Sequence, residues 1–543
     1  MISLLGPAFA DQDGGISFDE ILEVLGDQRS RSIISFTIFQ ALVSTFLTLA
    51  LAFPGAYLLS SRRIPGRSLL LSLTTVPFVL PPLVLGVGFM ALFSGSGWVQ
   101  VSMDGISSIF GLSAPDIKML YSKEAVVLAH VFLNFPIALR FLTMGFLSVD
   151  GDFVRASRSL GAGPVRTFSR IILPQMRYSI ISAASLIFTF CLVTFGAVLV
   201  IGGMGNATIE VEIYRQFTGK FDDGRAAAML LVEIVLVAIS TSVYIWSSRR
   251  SGLHPVGKGT GRTWMGSPTG SKWRSKRALI FIYGLIVFFV ILLPLAAVVL
   301  ESFATGSSGG AGYTFRWYEA LLARENDPTI GVSPLGAVIN SLMFGFLTMV
   351  LSIPLSLLTA YAIDRPPFRG KIFLDSLLLF PLGVSTVALG LGFIKGFNQG
   401  WLDLTGSWIA VVVVHTMIAY PLGVRAITAA KRSIPDSVVK AARTLGASRL
   451  EAFLTVEMPL LAPGLLIAAI FAFAVSIGEF GATLMVSSSE YTTMPLALYK
   501  FISGGREFGV AYAYAVVLML VTFLSIFAMD VIGRRFLRLE VDI

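Results

Sequence analysis

Apolar runs alternate with short polar or Gly/Pro-rich breaks along almost the whole chain. A helix that crosses about 30 Å of hydrocarbon needs roughly 20 apolar residues, and runs of this length recur between the breaks. The pattern predicts an all-α polytopic membrane protein with about eleven transmembrane helices. The predicted spans are 33–59, 69–93, 124–147, 178–201, 226–247, 278–300, 335–362, 372–397, 407–429, 463–486 and 509–532.

The composition supports lipid as the main solvent of this chain. Of its 543 residues, 55% are hydrophobic and 13% are charged, whereas soluble globular proteins carry about 25% charged residues. The mean hydropathy of +0.80 excludes an ordinary water-soluble enzyme. One cysteine and three histidines exclude a disulfide framework and a zinc site built from several cysteines. We therefore expect no metal centre and no cofactor in this chain.

Positive charge is unequal between the two sets of connections that alternate along the predicted spans. One set carries 27 Lys and Arg residues, more than twice the number in the other set. Positive charge stays in the cytoplasm during insertion, so the C-terminus is predicted inside and residues 1–32 outside the cell membrane. This placement explains the formal net charge of +9 without a nucleic-acid partner. The basic set comprises 60–68, 148–177, 248–277, 363–371, 430–462 and 533–543.

The chain repeats itself at a fixed offset. From His130 to Tyr214 the counterparts lie 285 positions further on, and upstream of that stretch they lie 304 positions further on. The difference of 19 residues falls after Phe89, in a predicted external loop that contains Trp98 and Asp104. Equivalent spans run in the same direction, which indicates a parallel duplication. The predicted organisation is a domain of five helices at 33–247, a cytoplasmic linker at 248–277 and a domain of six helices at 278–543.

The first domain lacks a counterpart of the span at 278–300. We interpret Met1–Ala10 as the remnant of a sixth helix, lost or placed upstream of a misassigned start codon. The alternative is a signal peptide, because Ala8-Phe9-Ala10 is similar to a cleavage site. No Lys or Arg precedes it and the apolar stretch is short, so the remnant is favoured.

Each domain contains a polar cytoplasmic connection of the same build. Two small residues are followed by a glycine and then by a proline before the next span. Small residues let a short helix approach another surface closely, glycine allows a sharp turn, and proline suits the first turn of a helix. The residues are Arg155, Ala156, Ser157, Gly161 and Pro174 in the first domain, and Lys440, Ala441, Ala442, Gly446 and Pro459 in the second.

This motif resembles the EAA loop of ABC-importer permeases, whose pattern is Glu-Ala-Ala, three residues, Gly, nine residues, Ile, any residue, Leu-Pro. The spacing matches in both domains, whereas Arg155 and Lys440 replace the glutamate. In that family the loop is held in a groove of a separate ATPase subunit, so the resemblance implies a coupling role. The alternative is an amphipathic helix that lies on anionic lipid headgroups.

The resemblance covers nearly the whole chain. Segments 129–136 and 208–214 are similar to the fused two-domain permeases for thiamine and for ferric iron, and the first segment leans towards the thiamine type. The resemblance implies an importer subunit that moves a small hydrophilic solute by alternating access. It also implies two ABC ATPase subunits, which would bind the ATP and magnesium, and an extracytoplasmic solute-binding protein.

An ATPase site within the chain itself is not expected. Residues 252–258 satisfy most of a phosphate-binding loop, but Pro255 interrupts it and Gly259 stands where Ser or Thr would bind magnesium. The segment is interpreted as linker.

Ionisable residues within the predicted spans are few, and each is costly there. Glu479 is interpreted either as a group that lines the path and attracts a cationic solute or as a hydrogen-bonded packing residue. Glu233 is interpreted as a packing residue, and His130 and His415 as hydrogen-bonded structural residues. The candidate path and gate residues are Thr194, Phe195, Gly196, Glu479, Phe480 and Gly481.

Acidic residues also collect in the predicted external segments. They are interpreted either as contacts to a basic rim on a binding protein or as solubilising residues. These are Asp11, Asp13, Asp19, Glu20, Glu23, Asp27, Glu210, Glu212, Asp222 and Asp223.

The chief alternative function is a secondary transporter or channel driven by an ion gradient. It would need several charged residues within the spans for ion coupling. A membrane enzyme would need a cluster of His, Asp or Ser at membrane depth, and the sequence contains none.

Overall fold

The computed structural model of the chain is helical apart from turns, and its one β contact among the described residues is an isolated bridge between Ala304 and Tyr313. Most of the predicted linker 248–277 lies outside the described residues, so the predicted domain boundaries stay a prediction. The described residues are 2–9, 17–60, 80–111, 113, 115–116, 119–203, 205–250, 281–305, 312–325, 327–363, 384–397, 403–504 and 508–537.

In these ranges, nine helices are long and apolar enough to cross a membrane. With the shorter apolar helix Thr386–Phe397 they correspond to ten of the predicted spans, which confirms the all-α membrane fold. The remaining predicted span, 278–300, is helical from residue 281 and ends with Leu293–Glu301. The nine helices are Gln28–Leu59, Pro82–Ile109, Lys123–Leu147, Pro164–Leu192, Asp223–Ser248, Pro334–Ile363, Trp408–Ser433, Arg449–Gly478 and Phe508–Met529.

The first of two compact units comprises Leu5–Phe78 and Val84–Tyr313, and we call it the first-half unit. Helix Gln28–Leu59 packs against Lys123–Leu147 and Leu173–Leu192. The Tyr283 hydroxyl donates to the Leu51 carbonyl at 3.2 Å, which ties the span at 278–300 to this unit. Its remaining helices are Gly6–Phe9, Asp19–Gly26, Pro82–Phe93, Trp98–Ile109, Gly151–Ser159, Pro164–Thr167, Phe168–Ile172, Gly196–Ile201, Ile209–Arg215, Gln216–Lys220, Asp223–Arg250, Phe288–Leu292 and Leu293–Glu301.

Two short helices lie in segments outside the predicted spans. Part of the predicted external connection forms helix Trp98–Ile109, and the external position of that connection stays a prediction. The segment Ile2–Leu5 is helical, and the interpretation of Met1–Ala10 as a helix remnant stays a prediction.

The second-half unit comprises Met1–Leu4, Val79–Leu83 and Thr314–Ile543. Three of its long helices, Pro334–Ile363, Trp408–Ser433 and Met458–Gly478, pack against one another. A Cβ at Gly464 would lie 2.5 Å from the Ala430 Cβ, so small residues permit close helix approach. Its remaining helices are Arg316–Ala323, Thr386–Phe397, Asp436–Thr444, Arg449–Ala452, Phe453–Glu457, Gly481–Val486, Ser489–Tyr491, Met494–Ser503 and Phe508–Leu537.

Four short helices of the first half have counterparts in the second half whose first and last residues both lie 285 positions further on. This agreement confirms the internal repeat. Gly151–Ser159, Pro164–Thr167, Phe168–Ile172 and Gly196–Ile201 belong to the first-half unit. Their counterparts are Asp436–Thr444, Arg449–Ala452, Phe453–Glu457 and Gly481–Val486.

The predicted spans 178–201 and 463–486 are interrupted in the structure. One helix ends at Leu192 and the next begins at Gly196, and the same break separates Gly478 from Gly481. The prediction of one continuous helix is therefore wrong in both halves. In the first half the apolar run continues through Val193 and Phe195, so the apolar pattern carries no signal for the break there.

Candidate functional site

The polar connection of each half contains a short helix whose surface is mostly exposed. We call Gly151–Ser159 the first loop helix and Asp436–Thr444 the second loop helix. Val154 is fully buried and anchors the inner face of the first loop helix. The Ser157 hydroxyl lies 3.1 Å from the Thr167 hydroxyl, so Ser157 faces its own chain rather than solvent.

An apolar stripe runs along the exposed face of each loop helix. Its members follow the i, i+3, i+7 spacing that places side chains on one side of a helix. Leu160 and Leu445 lie just after the last helical residue and are each 88% exposed. The stripe is formed by Phe153, Ala156 and Leu160 in the first half and by Val438, Ala441 and Leu445 in the second.

Such a stripe indicates an interaction surface, because it recurs at equivalent positions in two copies that are otherwise polar. Sequence reasoning identified Ala156 and Ala441 and missed the larger apolar residues beside them. The available signal was their shared apolar character at the offset of 285 residues.

Gly161 and Gly446 end the loop helices in the left-handed conformation, with φ of +79° and +96°. The Ala162 N–H donates to the Ser157 carbonyl at 3.0 Å, and the Ala447 N–H donates to the Ala442 carbonyl at 3.1 Å. These bonds form a Schellman turn, which satisfies the last carbonyls of a helix. No atom lies within 4 Å of a Cβ built on either glycine, so backbone conformation and not space requires glycine. The expected sharp turn is present in both halves.

Pro174 and Pro459 lie in the first α-helical turn of the long helices that follow, as predicted. Each is preceded by a π-helical turn, Phe168–Ile172 or Phe453–Glu457. Proline lacks the N–H for a bond to residue i−4 and its ring crowds that carbonyl, and the wider π turn accommodates both effects. The helical backbone therefore runs without interruption from Pro164 into the long helix, so that a displacement at its start moves the whole helix.

Glu479 lies at the break in the second-half unit and is 8% exposed. Its carboxylate accepts the Ala482 N–H at 2.9 Å, at the start of Gly481–Val486, and also the Thr386 hydroxyl. A negative charge is favoured at a helix N-terminus. The equivalent Thr194 instead donates its hydroxyl to the Phe190 carbonyl of the preceding helix. This geometry supports the hydrogen-bonded interpretation of Glu479.

In each unit, a phenylalanine in the break between the two helices packs against a tyrosine ring. The Phe195 and Tyr214 ring centroids are 5.4 Å apart, and those of Phe480 and Tyr499 are 5.1 Å apart. Gly196 and the equivalent Gly481 begin the short helix that follows. The six candidate path and gate residues thus lie together within their own unit, and their role in gating stays a prediction.

The two buried histidines differ in their hydrogen bonds. His415 Nδ1 lies 2.7 Å from Ser476 Oγ, and Nε2 lies 2.7 Å from Thr483 Oγ1. Neither ring nitrogen of His130 has a hydrogen-bond partner in the described part of the chain. The expectation of a hydrogen-bonded histidine is confirmed for His415 and wrong for His130.

The reason lies in the residues that occupy the partner positions. Cys191 and Val198 stand where the second half has Ser476 and Thr483. Valine offers no polar atom, and the Cys191 sulfur lies 3.5 Å from Asn134 Nδ2.

Glu210 and Glu212 are fully buried, so the prediction that they belong to an external surface is wrong. They lie on Ile209–Arg215, a short helix that buries most of its residues. Glu212 lies 3.6 Å from Arg29 and 3.8 Å from Lys220, and these ion pairs compensate its burial.

Glu233 is 2% exposed, as expected for a packing residue, and interacts electrostatically with Glu210. Its carboxylate has no hydrogen-bond partner among the residues that the structure describes. The equivalent position in the second half is the buried Leu518.

The chain contains two tandem copies of a helical membrane domain, and in each copy a turn connects an exposed loop helix to a long helix, an arrangement of the permease class. The chain belongs to the family of binding-protein-dependent transport system inner membrane components, whose pattern matches residues 45–252 and again residues 334–538. Membership implies a transport subunit, with several membrane-spanning helices in the inner membrane, that works with an ATPase and a binding protein.

Several curated proteins are similar over nearly the whole chain. The thiamine transport system permease protein ThiP of Brucella abortus (strain 2308) is 27% identical over 93% of this chain and 88% of its own length. The ferric transport system permease protein FbpB of Actinobacillus pleuropneumoniae is 26% identical over 94% of this chain and 72% of its own length. These two names support the resemblance to both kinds of fused permease.

A solved structure is also similar. It is the crystal structure of a bacterial ABC transporter involved in the import of the acidic polysaccharide alginate. The match has 14% sequence identity and a TM-score of 0.40, and it covers 49% of this chain and 99% of that chain.

Proposed function

We propose that this chain is the translocation subunit of an ATP-driven importer in which ATPase subunits bind the two loop helices. The observation that carries the proposal is the matched apolar stripe that ends at Leu160 and at Leu445. Each stripe ends at a left-handed glycine, and the helix beyond it leads without interruption into the membrane. A partner that closes on the loop helices would therefore move the long helices.

The proposed assembly has two ATPase subunits, one for each loop helix. ATP and magnesium belong to those subunits, and an extracytoplasmic binding protein delivers the solute. The loop helices and the C-terminus face the cytoplasm, which the excess of Lys and Arg in their set of connections supports.

The proposed solute is small and hydrophilic, of the thiamine or ferric-iron class. The support is the similarity to permeases of both kinds. Uptake of labelled thiamine and of labelled ferric iron by cells that express the chain, compared with cells that lack it, separates the two. Uptake of neither would contradict the substrate class.

The ATPase proposal is tested by purification of the tagged chain with its ATPase subunit and reconstitution into proteoliposomes. We expect vanadate to abolish uptake and ionophores to leave it unchanged. The reverse result would identify a transporter driven by an ion gradient. Replacing Leu160 and Leu445 together by aspartate should release the ATPase subunit. Leu322→Asp is the matched control, because Leu322 is 82% exposed on helix Arg316–Ala323, which is predicted to lie outside the cell.

The orientation is tested with a single cysteine. The native Cys191 is buried, so a membrane-impermeant maleimide should report Leu160→Cys without background. Labelling is expected in inverted vesicles and not in intact cells. Labelling in intact cells would overturn both the orientation and the proposed ATPase contact.

A further inference from the structure

The two loop helices share their apolar stripe but differ in charge at the position where the family pattern has glutamate. Arg155 donates to the Asp152 carboxylate within the first loop helix. The second loop helix has Ser437 where the first has Asp152. Among the described residues, no carboxylate lies within 4 Å of the Lys440 ammonium. Asp436, one turn earlier on the same helix, is also beyond this distance.

We propose that Lys440 binds an acidic residue of the ATPase groove, and that the second loop helix therefore provides most of the electrostatic attraction between the subunits. The inference rests on the proposed function. An unpaired ammonium on an exposed helix is available to a carboxylate of the partner. The Arg155 guanidinium must first give up Asp152, which reduces its net gain on docking.

Other basic and apolar positions of the two surfaces are matched, whereas the acidic residue differs in place: Asp152 in the first loop helix and Asp436 in the second. Arg158 and Arg443 are equivalent, exposed and basic. Leu160 and Leu445 have the same exposed fraction, 88%. If identical ATPase subunits dock on both helices, the same groove carboxylate meets a compensated cation in the first half and an uncompensated cation in the second.

The test measures the dissociation constant between the full chain, in phosphatidylcholine nanodiscs, and the ATPase subunit purified from the wild-type complex. Lys440→Glu should raise the dissociation constant at least about tenfold, whereas Arg155→Glu should raise it less than about threefold. Salt should weaken wild-type binding more than it weakens binding of the Lys440→Glu variant.

Two further substitutions exchange the charge pattern. Ser437→Asp supplies Lys440 with an internal partner and should raise the dissociation constant about threefold. Asp152→Ser frees Arg155 and should leave binding unchanged or tighten it. The side chains replaced in these four variants lie on the exposed loop helices, so the thermal unfolding midpoint of each variant should stay at the wild-type value. They are Asp152, Arg155, Ser437 and Lys440.

Equal effects of Lys440→Glu and Arg155→Glu, or no effect of Ser437→Asp, would overturn the inference. An effect of Lys440→Glu seen only in nanodiscs that contain phosphatidylglycerol would assign Lys440 to lipid and overturn it as well. If Leu445→Ala weakens binding while Lys440→Glu does not, the inference fails and the proposed function stands. If wild-type chain and ATPase do not bind at all, both fail.

Discussion

The surroundings of the two buried histidines show how the halves of this protein have diverged on one scaffold. His415 is held by two hydroxyl groups at 2.7 Å, whereas His130 at the equivalent position has no hydrogen-bond partner in the described chain. Another contact between helices is the same in both halves: the Ile209 N–H donates to the Thr37 hydroxyl oxygen in one half, and the Met494 N–H donates to that of Ser341 in the other. Helix positions were therefore retained while the polar groups between them changed.

The exposed loop helices differ in sequence but share their main structural features. Both loop helices keep the apolar stripe, the left-handed glycine and the π turn before proline. These shared features are the ones that the proposed contact with ATPase subunits uses. The interior needs only internal consistency, which different polar pairs can satisfy.

The largest expected effect is a loss of coupling at the shared turn. Gly446→Val forces a β-branched residue to a φ of +96°, a conformation that costs about 1–2 kcal/mol or more. Uptake in proteoliposomes should fall at least about tenfold while ATP hydrolysis continues. Gly161→Val should act in the same direction, since its φ is +79°.

The matched control for the turn is Gly163→Val. Gly163 has a φ of −65° and open space at its Cβ position, so valine fits. Normal uptake by both the Gly161 and the Gly446 variants would count against the coupling role of the turn.

The next largest expected effect is a difference in stability between variants at the two helix breaks. Glu479→Ala leaves the buried Ala482 N–H without its acceptor, a loss of about 1–3 kcal/mol. Thr194→Ala removes a bond to a carbonyl of the preceding helix and should cost less than about 1 kcal/mol. Equilibrium unfolding in mixed micelles measures both. A Glu479→Ala variant that is fully stable but inactive would restore the solute-binding interpretation.

A smaller effect distinguishes the histidines. His415→Leu leaves Ser476 and Thr483 with fewer partners and should cost about 2 kcal/mol. His130→Leu should be neutral or stabilising, because it removes buried ring nitrogens that have no partner among the described residues. The same unfolding experiment applies to both variants. An equal loss in the free energy of unfolding for both variants would contradict this prediction.

The smallest effect is a pH dependence confined to the first half. Asp27 caps Gln28–Leu59 by accepting the Ser30 N–H at 3.0 Å, and this bond lowers the pKa of Asp27 below its ordinary value of 3.8. The carboxylate therefore stabilises the helix start at neutral pH, and the stabilisation is lost as the pH falls below 3.8 through the folded pKa. Ser333 caps the equivalent helix with a hydroxyl, which does not titrate in this range.

Hydrogen exchange of the first turn of each helix measures this difference. Acid should increase the opening of the turn after Asp27 and leave the turn after Ser333 unchanged, once the intrinsic exchange rates are corrected. Asp27→Ser should remove the difference. Arg225, 3.1 Å from Asp27, is the nearest cation and keeps its charge throughout. Equal acid sensitivity of both turns would contradict the prediction.

Most of the architecture was determined by the sequence alone. The length of the apolar runs requires membrane helices because unsatisfied backbone groups are too costly in lipid. The repeated offset predicts two like domains, and the glycine and proline spacing predicts the turns at Gly161 and Gly446. All of these are local properties that a residue carries with it in any fold.

Only the tertiary structure decided the state of the polar residues. Hydropathy could not show that Glu210 and Glu212 are buried, that the span after Pro174 breaks before Gly196, or that His130 lacks the partners of His415. The physical reason is distance along the chain: Arg29 meets Glu212, and Thr37 accepts the N–H of Ile209, 172 positions away. The energy of a buried polar group depends on such partners, and a sequence pattern does not contain them.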